Sequence, residues 1–169
     1  MKQVKSLTVV GGGTAGLISA LILKVRSSLD VELIYSSNIG IVGVGEGSTE
    51  HFSDFMNFVG IKPSEIIKEC NATFKIGVMF DNWILNKNYL HSIVRPYSTT
   101  LDQYSNVYAK KIIDDSSFLY PKSIFHNLVL EKSVFDIDNN PPVNQYHFDT
   151  FKLNDFLIKI AKDKGIKII

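Results

Sequence analysis

Val9–Leu23 reads VVGGGTAGLISALIL: β-branched residues run into three consecutive glycines, and a long apolar segment without proline follows. Leu7–Val10 is a short β-rich run that stops at glycine, which predicts a buried strand. Thr14–Ser27 has no glycine beyond Gly16 and is nearly all apolar, as in a helix packed on a sheet and covered on its other side. Val31–Tyr35 supplies a second strand. Residues 7–35 therefore predict a β-α-β unit with parallel strands and a right-handed crossover.

Within that unit Gly11-x-Gly13-x-x-Gly16 stands between strand and helix, the context that the dinucleotide-binding fingerprint requires. Gly11 permits the tight turn, Gly13 lets a pyrophosphate approach bare backbone, and Gly16 lets helix and strand pack closely. Thr14 and Ala15 open the helix, whose free N–H groups and dipole favour an anion. An acid usually closes the second strand and takes the ribose hydroxyls. That position is Tyr35 here, and Glu32 points to the other pleat face. The ribose is then left to backbone, to Ser36 or to water, and the fingerprint alone does not separate FAD from NAD.

Composition narrows the classes further. The chain has 169 residues, 45% hydrophobic and 21% charged, which suits a globular domain with a real core. A net charge of +1 with scattered Lys and Arg argues against a nucleic-acid partner. The single Cys70 excludes an internal disulfide and fits a reducing compartment. Leu17–Leu23 is too short to span a bilayer, and no cleavage pattern follows it, so the expectation is a cytoplasmic protein without a membrane partner. His51, His91 and His126 show no metal-ligand spacing with one another or with Cys70, so no metal site is expected.

Ser36–Gly47 carries Gly40, Gly43, Gly45 and Gly47, and reads as an ordered loop whose backbone lies close to something. Thr49-Glu50 starts a helix that Gly60 ends, and Pro63 opens another that runs to about Cys70. Phe74–Trp83 reads as a strand, with Trp83 in the core. In residues 84–142 the pattern degrades: Ser123–Leu130 (SIFHNLVL) is compatible with helix or strand, and Asp136–Gln145 (DIDNNPPVNQ) is a loop. Leu153, Phe156, Leu157, Ile160 and Ala161 then recur at helical spacing. Asp149 is placed to cap that helix, Gly165 to stop it, and IKII to begin another strand; His147 reads as a packing residue.

The order VVGGGTAG, IVGVGEGS, NATFKIGVMFDNW and YHFDTFKLNDFL resembles the flavin-dependent tryptophan halogenases, from about residue 6 onward with a poor match in the middle. The resemblance implies an α/β, Rossmann-like FAD-binding fold, with residues 1–169 as the N-terminal part of the domain. It implies that a separate flavin reductase supplies reduced FAD (FADH2), which reacts with oxygen to give a flavin hydroperoxide. A halide ion (chloride, bromide or iodide) attacks it, and the resulting hypohalous acid travels through a tunnel to a lysine beside a small electron-rich aromatic substrate.

By the same resemblance that lysine is Lys75, and Gly11, Gly13, Thr14, Ala15, Gly16, Ser36, Ile39, Gly45, Glu46 and Gly47 belong to the cofactor site. The segment matching Ser36–Ser48 runs along the flavin, with Gly45-Glu46-Gly47 against the isoalloxazine or the halide. Independently, a lysine flanked by Phe74, Ile76 and Val78 in a buried strand would be desolvated, which favours the neutral, reactive amine. Departures from the family pattern are Leu17 where an aromatic is usual, and Gly47 where alanine is usual. The family's WxWxIP motif does not occur in these residues, so the expectation is about the first third of a complete enzyme. The alternatives are a two-component FAD monooxygenase or reductase of the same fold, and a nucleotide-binding module without turnover. Halide, aromatic substrate, regiochemistry and homo-oligomer formation stay open.

Overall fold

The computed structural model describes residues 4–43, 46–75, 77–84, 87–92, 138 and 144–169. The readings for SIFHNLVL, for most of DIDNNPPVNQ, and for Gly45 and His126 lie outside them. The chain divides into two compact units, one made of 1–73 with 145–169 and the other of 74–144.

In the first unit the β-α-β reading holds. Strand β1 (Ser6–Val10), helix α1 (Thr14–Arg26) and strand β2 (Asp30–Ile34) follow in order, and β1 and β2 pair in parallel from Ser6↔Asp30 to Val10↔Ile34. Strand β8 (Lys167–Ile168) adds in parallel on the other side of β2. The sheet order β1-β2-β8 puts β2 in the centre, so Val31 and Leu33 are buried. The expectation that β1 is buried does not hold. Among the described residues it pairs on one side only, its residues alternate between exposed and half-buried, and Val10 is 79% exposed.

Helix α1 buries Leu17, Ala20 and Leu21, the i, i+3, i+4 stripe that faces the core. Its outer face is less covered than the apolar sequence predicts, since Ile22 and Val25 are exposed. Lys24 and Arg26 stand in the last turn, where cations complement the carbonyl end of the helix.

Helix α2 (Glu50–Val59) ends at Gly60, whose φ of 78° is the left-handed turn that glycine adopts at low cost. Its buried Phe52 meets Phe55 and Phe148 at ring-centroid distances of 5.8 and 5.3 Å. Helix α3 (Pro63–Glu69) begins on proline, and the Glu65 carboxylate accepts the Lys62 N–H at 2.8 Å. Strands β3 (Glu46–Gly47) and β7 (Tyr146–Phe148) pair antiparallel. Beside them the buried Ser48 donates its N–H to Tyr146 O at 2.7 Å, and its Oγ accepts the Tyr146 N–H at 2.9 Å. Helix α4 (Thr150–Asp163) follows β7, capped as expected by Asp149, whose Oδ1 accepts the N–H groups of Phe151 and Lys152. It packs on α1 through a face that includes Leu153, Phe156, Leu157 and Ala161, all buried.

In the second unit the strand expected over 74–83 is interrupted. β4 (Thr73–Phe74) crosses the boundary between the units, Lys75 stands outside any strand, and β5 (Gly77–Ile84) pairs antiparallel with β6 (Lys87–Ser92). The β5–β6 register is irregular between Phe80 and Ile84, and Asn82 lies there with φ 52°.

Cys70, after α3, is fully buried. Burial, then the nearby charges of Glu69 and Asp149, push its thiol up to about 12 against a small opposing effect of Lys152. The thiol is therefore expected to resist an alkylating reagent at pH 8 in the folded protein and to react once urea unfolds it. Its folded value is raised, so the stability linked to it is complete below the unfolded value of about 8.5 and is lost as pH rises toward 12. Cys70→Ala should remove that alkaline slope from urea midpoints; an unchanged slope would refute the assignment.

Candidate functional site

The first unit holds a cleft of about 490 Å³ beside the glycine turn. Gly11, Gly12 and Gly13 form its floor, and Tyr35, Ser36, Ser37, Ile39, Gly40 and Ile41 form one wall. The other wall comes from α4.

The turn is built by close approach. Gly11 has φ 121°, a value side-chain-bearing residues rarely adopt, and its N–H donates to Ile34 O at 2.8 Å, tying the turn to the end of β2. A Cβ on Gly16 would collide with the Gly11 carbonyl oxygen, so the first turn of α1 lies directly on the loop. A Cβ on Gly12 would come within 2.6 Å of the Tyr35 Cβ. Gly13 is different: nothing stands within 4 Å of where its Cβ would be. Gly13 is also the N-cap of α1 and offers no side-chain cap, which leaves the first N–H groups of the helix to an outside acceptor.

Helix α4 sends Phe151, Asn154, Asp155 and Ile158 to the cleft, spaced i, i+3, i+4 and i+7 on one helical face. Asn154 is buried, and its Nδ2 donates to Gly12 O at 2.6 Å across 142 positions of sequence. With that carbonyl held, the Gly12–Gly13 peptide is fixed in orientation. Sequence reasoning gave these four residues no role, since the helical stripe it marked was Leu153, Phe156, Leu157, Ile160 and Ala161. The one signal available was an asparagine among the apolar residues of a helix that otherwise reads as core.

The expected cofactor residues are distributed unevenly. Gly11, Gly13, Ser36 and Ile39 line the cleft. Thr14 and Ala15 begin α1 directly after Gly13, and Gly16 braces the turn from beneath. Glu46 and Gly47 are exposed in β3, paired with Phe148 and His147, and are not among the cleft's lining residues. The glycine-rich loop does run close to something: a Cβ on Gly43 would come within 2.6 Å of Thr150 Cγ2, at the start of α4. Lys75 belongs to the second unit and is half-buried, while Val78 beyond it is exposed, so its setting is wetter than a buried strand would provide. Among the described residues no group of three or more His, Cys, Asp or Glu could hold a metal ion, and no helix is long and apolar enough to cross a membrane.

A β-α-β unit with this turn and this cleft defines an α/β protein of the dinucleotide-binding class. The family model for tryptophan halogenase matches residues 6–169, and the chain belongs to that family. It is 33% identical over 110 residues to the 7-chloro-L-tryptophan 6-halogenase KtzR of Kutzneria sp. (strain 744), an alignment covering 64% of this chain and 20% of that protein. The crystal structure of a tryptophan halogenase from Shewanella frigidimarina NCIMB 400 superimposes with a TM-score of 0.71 at 24% identity, over 99% of this chain and 36% of that one. Xcc4156, a flavin-dependent halogenase from Xanthomonas campestris, does so at 0.68 and 24%, over 99% and 35%. The fold is thus the α/β FAD-binding fold of these enzymes, of whose length this chain spans about a third.

The family implies a flavin dinucleotide, and the residues present fit one. The open space beside Gly13 and the uncapped start of α1 leave room and free N–H donors for an anion.

Proposed function

We propose that this protein is a halogenase that uses reduced FAD, with the dinucleotide's pyrophosphate held at Gly11–Gly13 and the first turn of α1. The observation that carries the reading is the family match over 6–169, a span that takes in both the glycine turn and Lys75. Reduced FAD, provided by a separate flavin reductase, would supply two of the four electrons that take oxygen to water, the halide ion giving up the other two as it is oxidised. The work of the chain is binding and delivery. Backbone N–H groups at the turn donate to the anion, Asn154 Nδ2 holds the Gly12 carbonyl, and Ser36 and Ile39 line the cleft beside it. Lys75 holds or takes up the halogen of hypohalous acid through Nζ and presents it to an electron-rich aromatic ring. Glu46 and Gly47 belong, on this reading, to the strap between cofactor and substrate.

Titrating the full-length protein with FAD and with NAD, read by flavin fluorescence and calorimetry, is expected to show binding of FAD alone. Supplying a flavin reductase, NADH, bromide and a panel of indoles should then yield products with the paired masses of the two bromine isotopes. Tight NAD binding with no response to FAD would overturn the cofactor assignment. Oxygenated, bromine-free products would identify a monooxygenase of the same fold.

A further inference from the structure

A dinucleotide site has to meet the two neighbouring hydroxyls of the adenosine ribose, and a carboxylate accepting both is the usual answer, placed at the end of the second strand. This chain has given up that position. Tyr35 occupies it and lies over the turn, with its Cβ against the place where a Gly12 side chain would be. The nearest acid on β2 is already engaged: Glu32 Oε1 accepts from Lys167 Nζ at 2.9 Å, across the pairing of β2 with β8.

Helix α4 supplies an acid to the same cleft instead. Among the described residues lining the cleft, Asp155 alone carries a formal charge. It is exposed, and no hydrogen bond or ion pair engages it among the described residues. It follows Asn154, whose hydrogen bond to Gly12 O pins this face of α4 to the glycine turn. A carboxylate there would repel a pyrophosphate, so the chemistry that suits it is a pair of hydroxyl donors further along the same ligand.

We propose that Asp155 recognises the adenosine ribose of the dinucleotide, the acid having moved from the end of β2 to α4. The assignment rests on the cofactor reading above and adds the residue that selects the nucleoside end of the ligand.

The test uses the full-length protein, wild type and Asp155→Ala, titrated by flavin fluorescence with FAD and with its 2′-deoxyadenosine analogue. Alanine at an exposed helical position is well tolerated, so the fold should be kept and the melting temperature should barely move. Wild type is expected to bind the deoxy analogue about tenfold more weakly than FAD, as expected for loss of a hydrogen bond to a charged group. Asp155→Ala should bind FAD weakly by a similar factor and scarcely distinguish the two ligands. A merely structural role would weaken both ligands equally and leave the wild-type preference intact. That result, or FAD affinity unchanged in Asp155→Ala, overturns the inference alone. Failure of the wild type to bind FAD overturns the inference together with the cofactor reading.

Discussion

On the proposed function, Lys75→Ala leaves the full-length enzyme able to bind FAD and to oxidise the reduced flavin with oxygen, yet its halogenated product falls about a hundredfold or more. That magnitude is what removing a nucleophilic or proton-handling group costs. The two activities part because the lysine acts on the halogen and not on the flavin. Lys75→Arg should fail as well, since guanidinium stays charged and offers no neutral amine. A surface lysine without a role predicts near-normal halogenation in both variants. Product counted by mass spectrometry against oxygen consumed separates the outcomes, and near-normal halogenation in Lys75→Ala removes the assignment.

The second large effect is expected at the turn, where two glycines should behave differently. Gly16→Ala drives a methyl group into the Gly11 carbonyl oxygen, a backbone atom that cannot swing aside. The loop must open or α1 must shift, at a cost of about 1–3 kcal/mol from overpacking. Both thermal stability and FAD affinity should fall. At Gly13 the φ of −75° and ψ of 175° suit alanine, and the added methyl meets nothing in the protein. Gly13→Ala should therefore melt near wild type but bind FAD at least about tenfold more weakly, because the methyl takes the space the pyrophosphate needs. Equal FAD affinity in Gly13→Ala and wild type would place the pyrophosphate elsewhere.

Much of the fold was legible because its determinants are local. A β-rich run ending in glycine, then an apolar stretch without breakers, specifies strand, turn and helix from neighbouring residues alone, and β1, α1 and β2 follow it closely. Gly60, Pro63, Asp149 and Gly165 end or begin helices through their own backbone or side-chain chemistry. The fingerprint was legible for the same reason, since bare backbone at Gly11, Gly13 and Gly16 is a statement about one short loop.

Strand order was not legible in the same way. Val9 and Val10 are as apolar as Val31 and Leu33, but among the described residues β2 has a neighbour on each side in its sheet and β1 on one side only, and only Val31 and Leu33 are buried. The uninterrupted run from Phe74 to Trp83 hid a break at Lys75, because β propensity does not record where a ladder stops. The site shows the same division. What the sequence by itself determined is the glycine turn, the helix that receives an anion and the tyrosine where an acid is usual. Only the tertiary structure decided that α4 lies across that turn, where Asn154 meets Gly12 and Asp155 enters the cleft. Helical periodicity marks Leu153, Phe156 and Leu157 as one apolar face, but it carries no address for the residues beside them. Which surface Asn154 and Asp155 reach depends on how α4 packs against α1, and that is settled by contacts between segments far apart in the chain.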